Sequence, residues 1–113
     1  MKDHEVSISG LKAELFRVLA NPGRIRILET LQGGERSVGE LQPLVGLESS
    51  HLSQQLGVLR RANLVVGRKE GALVFYSLRN PLIADVLRTA KALLISSLEE
   101  SERLLADLQD TAP

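Results

Sequence analysis

Residues 49–63 read SSHLSQQLGVLRRAN, a run with small polar side chains first, leucines next and a pair of arginines near its end. Leu52, Leu56 and Leu59 recur at intervals of four and three, which is the spacing of one face of an α-helix. The wider segment 49–69 carries four basic side chains and no carboxylate, although the whole chain has 14 basic and 14 acidic residues. This uneven distribution of charge predicts a helix that presents a basic, polar surface to an anionic partner.

The composition indicates one globular domain. The chain has 113 residues, of which 43% are hydrophobic and 25% charged, values typical of a folded protein of that size. Aromatic residues make up only 3%, which argues against platforms that stack bases or cofactors. Cysteine is absent, which excludes disulfides, thiolate metal sites and thiol switches. Because no apolar run has the length of a signal peptide or a membrane span, we expect a cytoplasmic protein.

Start and stop signals divide the first two thirds of the chain into four predicted helices. Residues 11–20 form the first, and Asn21-Pro22 caps a second that ends at Gly33-Gly34. Ser37 and Glu40 have the spacing of a capping box, which starts a short third helix ending near Gly46. The opening stretch forms the fourth, from about Ser49 to Ala62.

After Asn63 the pattern changes to two β-rich runs separated by Glu70-Gly71. A two-residue turn at that pair would place Lys69 opposite Ala72 and Val66 opposite Phe75. Glu-Gly is a weaker hairpin signal than Asn-Gly, so a loop of three or four residues is the alternative.

A second Asn-Pro pair at residue 80 begins a last helix that no glycine or proline interrupts before Pro113. A helix of nearly 30 residues is about 40 Å long and outruns a domain of this size. Its apolar face therefore needs another surface, and we favour the same helix of a second subunit over a helix lying across its own domain. On this helix the predicted dimer interface comprises Ile83, Leu87, Ala90, Leu94 and Leu98.

The order of helices followed by a hairpin predicts a mainly α fold, a winged helix-turn-helix with a long C-terminal dimerisation helix. The domain is divided into a flexible tail (1–10), a DNA-binding core (11–79) and the dimerisation helix (80–113). An α-helix fits the major groove of B-DNA, where serine and glutamine side chains reach base edges and arginines meet phosphates. The alternative is a solvated polar helix face with an arginine pair at its C-terminus. The predicted DNA-binding residues are Ser49, Ser50, His51, Ser53, Gln54, Arg60, Arg61, Arg68 and Lys69.

The stretches VLANPGRIRILETL, SVGELQPLVGLESSHLSQQLGVLRRANLV and GRKEGALVFYSL resemble the ArsR/SmtB family of bacterial winged-helix repressors, from about residue 11 to residue 94. The resemblance implies a homodimer built on the first and last helices, which adds Leu11 and Leu15 to the predicted interface. It also implies binding to an imperfect inverted repeat in double-stranded DNA. It places recognition positions on Ser49, Ser50, Ser53 and Gln54, with Gln55 and His51 less firmly placed, and the wing tip on 68–71. Glu48 departs from the serine common at its position; it either disfavours phosphate contact or caps the helix.

The metal sites implied by the resemblance do not fit this sequence. One uses cysteines, which are absent, and another uses Asp and His on the last helix, where Asp85 has no histidine beside it. His4 and His51 are the only histidines, so we expect no metal and no other cofactor. Ser49 and Ser50 beside His51 lack the strand-turn-helix elbow of a hydrolase, and we predict no enzymatic activity.

The leading hypothesis is a repressor without thiol or metal control, whose effector is a small molecule, a protein or nothing beyond its own concentration. The alternatives are a low-specificity architectural or co-regulatory DNA-binding protein and an interaction module that has lost DNA binding. The neutral total charge argues against the first alternative. The arginine pair and the absence of acids within the recognition helix argue against the second.

Overall fold

The computed structural model describes residues 7–111, and its order of elements agrees with the predicted winged helix-turn-helix. Three helices open the chain: α1 (Ile8–Leu19), α2 (Pro22–Leu31) and, after a two-residue strand β1 (Arg36–Ser37), α3 (Val38–Val45). They are followed by α4 (Ser49–Arg61), the strands β2 (Val65–Glu70) and β3 (Leu73–Leu78), and α5 (Leu82–Asp110). The fold class is thus mainly helical with a small β wing, as the sequence predicts.

Local capping signals determine most helix starts. Asn21 accepts a hydrogen bond from the Arg24 amide at 3.0 Å, with Pro22 at the first helical position. The predicted capping box is present: Ser37 Oγ accepts from the Glu40 amide, and the Glu40 carboxylate accepts from the Ser37 amide. Gly46 then ends α3 in the left-handed conformation with φ 77°, which glycine adopts without a steric penalty.

The start of α1 corrects the predicted boundary of the N-terminal tail. Ser7 caps the helix by accepting from the Gly10 amide at 2.9 Å, so α1 begins at Ile8, three residues before the predicted start. Residues 8–10 therefore belong to a helix and not to a tail. The tail prediction for residues 1–6, and with it His4, lies outside the described residues.

The wing is a three-stranded antiparallel sheet in the order β1-β3-β2. The predicted register of the hairpin is wrong by two residues, because the turn consists of Gly71 and Ala72. Lys69 pairs with Val74, and Val66 pairs with Ser77. Gly71 has φ 62°, so glycine occupies the first turn position, where the backbone requires a positive φ. Since side chains alternate with a period of two, this slip leaves each on its expected face.

One hydrophobic core joins α1, α2, α3, α4, the start of β2 and the start of α5. Leu52, Leu56 and Leu59 are at most 2% exposed, which confirms that the leucine face of α4 packs on the core. α5 contributes only its first two turns, through Ile83 and Leu87. Its residues 88–110 are all exposed, so the helix extends beyond the core, as its length predicts.

No helix among residues 7–111 combines the length and the hydropathy required to cross a membrane.

Candidate DNA-binding surface

The helix-turn-helix consists of α3, a tight connection at 46–48 and α4. Gly46 reverses the chain after α3, and Glu48 takes the N-cap position of α4 without a side-chain capping bond. The alternative that the Glu48 carboxylate caps α4 is therefore wrong. Across the turn, Ser49 Oγ donates to Gln42 Oε1 at 3.1 Å, which links the two helices.

The exposed face of α4 collects the small polar side chains of its first two turns. Ser50, His51, Ser53 and Gln54 are all exposed and line one open surface depression. Within residues 7–111, no protein group forms a hydrogen bond with these four side chains, so their donors and acceptors face solvent. Short polar groups on the N-terminal turns of a protruding helix are suited to hydrogen bonding with phosphates or base edges.

Gln55 is a correction to the predicted DNA-binding set. Its side chain is only 8% exposed, and its Oε1 accepts from Arg24 Nη1 at 2.8 Å. The reason is helical phase: Gln55 follows Leu52 by three residues and precedes Leu59 by four, so it shares their buried face. It cannot reach DNA without leaving the core.

The basic side chains are divided between two places. Arg60 and Arg61 are exposed in the last turn of α4, about 16 Å along the helix from Ser50. Arg61 lines grooves between α1 and α4, on the flank of the helix. Lys69 is exposed in β2 near the tip of the wing. Contact of Arg60, Arg61 and Lys69 with phosphates stays a prediction.

Arg68 has carboxylate partners that the sequence analysis missed. Its Nη2 lies 2.7 Å from Glu35 Oε1, its Nη1 lies 2.7 Å from Glu70 Oε2, and its Cζ lies 4.9 Å from the centre of the Phe75 ring. The hydrogen bond from Arg68 lowers the pKa of Glu35, and bonds to Glu35 and then Glu70 raise the pKa of Arg68. Two carboxylates thus offset the positive charge of Arg68, which the sequence predicts to contact phosphate.

The predicted dimer residues fall into two groups. Ile83 and Leu87 are 8% and 9% exposed and pack in the core of their own chain, so their assignment to the interface is corrected. Leu11, Leu94 and Leu98 are between 59% and 64% exposed, while Ala90 is exposed and Leu15 half-buried. The missed members of this apolar surface include Ile8, Phe16, Leu82, Leu93, Ile95, Leu104, Leu105 and Leu108.

Exposed apolar side chains of α1 and α5 meet at a groove between the two helices. The groove is lined by Phe16, Leu82, Val86, Ala90 and Leu93, together with the polar Asp85 and Thr89. Leucines continue along α5 to Leu108. Helical periodicity identifies such residues as apolar, but only the packing of the core shows which of them remain uncovered.

The candidate metal-ligating side chains are dispersed over the described residues. Within residues 7–111 no group of three or more His, Asp or Glu side chains is arranged to hold a metal ion. The Asp85 carboxylate on α5 pairs with Arg88 on the next turn. His51 lies on the exposed face of α4, away from α5.

Taken together, the hairpin after a helix-turn-helix and the exposed polar face of α4 define a winged helix-turn-helix of the DNA-binding class. The profile described as "Bacterial regulatory protein, arsR family" matches residues 21–66, which span α2 to the start of β2.

Relatives match well beyond that segment. The chain is 53% identical over 100 residues to a protein of Mycobacterium tuberculosis described as the uncharacterized HTH-type transcriptional regulator Rv0081, covering 88% of each chain. The crystal structure of Rv0081 matches with a TM-score of 0.78 at 51% identity, covering 86% of this chain and 98% of that one. The biofilm growth-associated repressor of Agrobacterium fabrum is 41% identical over 81 residues, which cover 72% of this chain and 69% of the repressor.

A solution structure of Mb0332 from Mycobacterium bovis, described as a homodimeric winged helix-turn-helix DNA-binding domain, has a TM-score of 0.75. It is 26% identical and covers 88% of this chain and 93% of its own. The chain belongs to the ArsR family and is a transcriptional regulator with that family's winged helix.

Proposed function

We propose that the protein is a homodimeric, sequence-specific repressor that binds an inverted-repeat operator through the exposed face of α4. The observation that carries this proposal is the set of four polar side chains, Ser50, His51, Ser53 and Gln54, that are exposed and free of internal partners within the described residues. Ser53 and Gln54 hydrogen-bond base edges, and Gln54 has both the donor and the acceptor that pair with adenine. Ser49, already bonded to Gln42, orients the helix start and contacts the backbone.

Charge supports sequence-specific binding over a low-specificity architectural role. A weakly specific binder depends on an excess of positive charge that meets phosphates. Here Glu35 and Glu70 offset Arg68, and the chain has equal numbers of acidic and basic residues. Lys69, Arg60 and Arg61 give a modest phosphate contribution, which leaves discrimination to the hydrogen bonds of α4.

The apolar surface of α1 and α5 supports a homodimer. Leu93, Leu94 and Leu98 are each at least 64% exposed, and a contiguous apolar surface of this kind marks a protein interface. Dimerisation would cover it and would hold two copies of α4 about 34 Å apart, the separation of half-sites one helical turn apart. Mb0332, described as homodimeric, and the repressor of Agrobacterium fabrum support the dimer and the repressor role by analogy.

The signal that releases the protein from DNA is proposed to be neither a thiol nor one of the family's usual metals. The chain has no cysteine, and Asp85 on α5 is engaged by Arg88. The remaining candidates for this signal are a small molecule, a partner protein and the concentration of the protein itself.

The test is a gel shift with the duplex that flanks the protein's own gene, combined with selection of bound sequences from a random duplex library. We expect a selected inverted repeat, bound by two subunits as measured by sedimentation, with unchanged affinity in zinc, chelator or reductant. The Ser53→Ala/Gln54→Ala variant should lose the preference for the repeat. The Ser96→Ala variant, altered at an exposed residue that shares its helix face with Glu99 and Glu100 of α5, is the control and should retain it. A wild-type protein that selects no sequence would overturn the proposal.

A further inference from the structure

The guanidinium of Arg24 connects three helices. Arg24 lies in the first turn of α2, its Nε donates to the Val18 carbonyl of α1 at 2.6 Å, and its Nη1 donates to Gln55 Oε1 of α4 at 2.8 Å. Both bonds come from one rigid planar group, so they restrain the relative orientation of the two acceptors as well as the distance between them. No other side chain of the described residues hydrogen-bonds both α1 and α4.

The bond to α1 uses a carbonyl that the helix cannot satisfy by itself. The last four carbonyls of an α-helix have no partner within it, and α1 ends at Leu19. The carbonyls of Arg17 and Leu19 accept from the amides of Ala20 and Asn21, while that of Val18 accepts from Arg24. A cation at this end also interacts favourably with the helix dipole.

The bond to α4 satisfies the one glutamine amide that the leucine face of α4 carries into the core. Gln55 is 8% exposed, whereas Gln54 is exposed. Consecutive helix residues are about 100° apart, so a rotation of α4 by one position would exchange them. A buried amide without a partner is costly, and Arg24 is the partner that makes burial of Gln55 favourable. The pair thus acts together with the buried leucines to hold the rotation of α4 about its axis.

We propose that Arg24 is a positioning residue that sets the orientation of the recognition helix α4 relative to α1, without contacting DNA. The inference rests on the proposed function, in which α1 and α5 join two subunits. The exposed Ile8, Leu11 and Phe16 place α1 on that dimer surface. An altered angle between α1 and α4 then displaces both recognition helices from their half-sites, so specific binding is lost before non-specific binding.

The experiment compares affinity for the inverted repeat selected by the wild-type protein with affinity for the same duplex carrying scrambled half-sites. Arg24→Lys retains the charge but loses the planar fork, and we expect at least about a tenfold loss on the repeat, the equivalent of one hydrogen bond to a charged group. Affinity for the scrambled duplex and its salt dependence should stay unchanged. Gln55→Leu, which replaces the amide by an apolar group in an apolar surrounding, should give the same loss.

Two further variants separate positioning from general stability. Gln55→Glu keeps an acceptor for Arg24 Nη1 and should bind the repeat like the wild type. The Arg24→Lys/Gln55→Leu variant should bind the repeat no more weakly than the weaker of the two single variants, because both changes remove the same bond between Arg24 and Gln55. All affinities are measured below the lowest thermal midpoint of the set.

Arg26→Lys is the matched control. Arg26 also lies on α2 and donates from Nε to a helix-terminal carbonyl, that of Val45 in α3, at 3.1 Å, but it has no bond to α1 or α4. The Arg26→Lys variant should retain the wild-type ratio between affinity for the repeat and affinity for the scrambled duplex. An unchanged ratio in Arg24→Lys, an equal loss on both duplexes, or an equal change in Arg26→Lys would overturn the inference. A wild-type protein that does not distinguish the two duplexes would instead overturn the proposed function.

Discussion

Arg68 in the wing and Glu35 in the segment before β1 form a two-pronged ion pair across 33 residues of sequence, with Nη2 and Nε of Arg68 at 2.7 and 3.1 Å from the two carboxylate oxygens. Glu70 binds the remaining side of the guanidinium at 2.7 Å. The pair links β2, at one edge of the wing, to the segment between α2 and β1. Both partners are more than a third exposed, so solvent and salt screen their attraction.

This pairing predicts unequal roles for two adjacent bases of the wing. Lys69→Ala should reduce the slope of log affinity against log salt by about one, as expected for one lost phosphate contact. Arg68→Ala should change that slope less, since its charge is already offset by Glu35 and Glu70. Binding titrations between about 50 and 200 mM salt measure both slopes. Equal reductions in the two variants would mean that Arg68 leaves its carboxylates to bind DNA.

Removal of the carboxylate should have the opposite effect. Glu35→Gln leaves one acceptor fewer for Arg68 and adds one unit of positive charge at the wing, so binding to scrambled duplex should tighten and its salt dependence should steepen. Glu14→Gln, which alters an exposed partner of Arg17 on α1, serves as the control for net charge alone. If the two variants behave alike, the position of the charge does not matter.

The exposed amide and hydroxyl of α4 should each contribute to base recognition. Ser53→Ala and Gln54→Ala are expected to weaken operator binding by about 1–3 kcal/mol for each lost base contact. Non-specific affinity should change little, because neither side chain is charged. Competition binding with operator and scrambled duplexes gives both quantities. Full operator affinity in both variants would remove these residues from the interface.

The apolar surface of α5 should hold the subunits together. Leu94→Glu or Leu98→Glu adds a charge to a residue that is 64% exposed in the single chain, so the monomer should fold while dimerisation is lost. Sedimentation would show a single subunit, and operator binding would fall because half-sites are no longer linked. Leu44→Glu, at an exposed leucine of α3, is the control and should remain dimeric. An intact dimer in the α5 variants contradicts the assignment.

The capping box of α3 predicts a pH-dependent part of the stability. Bonds from Ser37, first from its backbone amide, lower the pKa of Glu40 below its ordinary value of 4.5. A carboxylate with a depressed folded-state pKa stabilises the fold above 4.5, and this contribution disappears as the pH falls through the folded value. Glu40→Gln should therefore lose less stability on acidification than the wild type, as measured by urea unfolding at several pH values.

Ser37→Ala removes the hydroxyl that caps the Glu40 amide. We expect a loss of about 1 kcal/mol in the free energy of unfolding at neutral pH. Ser96→Ala, at an exposed serine inside α5, should change it little. Equal stability of the two variants would show that the cap contributes nothing measurable.

Much of the fold follows from local signals that act within a few residues. The Asn21-Pro22 cap, the Ser37–Glu40 box and the left-handed Gly46 each satisfy neighbouring backbone groups, so residue types at fixed spacing predict them. The leucine period of α4 and the unbroken run of α5 likewise identify helices. The observed hairpin turn lies one residue after the predicted turn, which shifts the pairing by two. The reason is that a Glu-Gly pair indicates a turn without settling which turn position glycine occupies.

What residue types could not settle is which distant groups a side chain meets in the folded chain. Gln54 and Gln55 are chemically identical neighbours, and the leucine period buries the second, but the partner of its amide is Arg24, 31 residues earlier. Arg68 and Lys69 are both basic, yet the approach of Glu35 offsets only the first. Ile83 and Leu98 belong to one apolar period, but the core ends after Leu87.

The sequence by itself therefore determined the order of helices, their caps and the polar, basic character of the recognition helix, because these depend on contacts within one or two helical turns. Only the tertiary structure decided which basic residue of the wing is offset by carboxylates, which group satisfies the buried Gln55 amide and how much of α5 is left uncovered. Those outcomes depend on contacts between distant segments, and the spacing of residues within one segment does not predict such contacts.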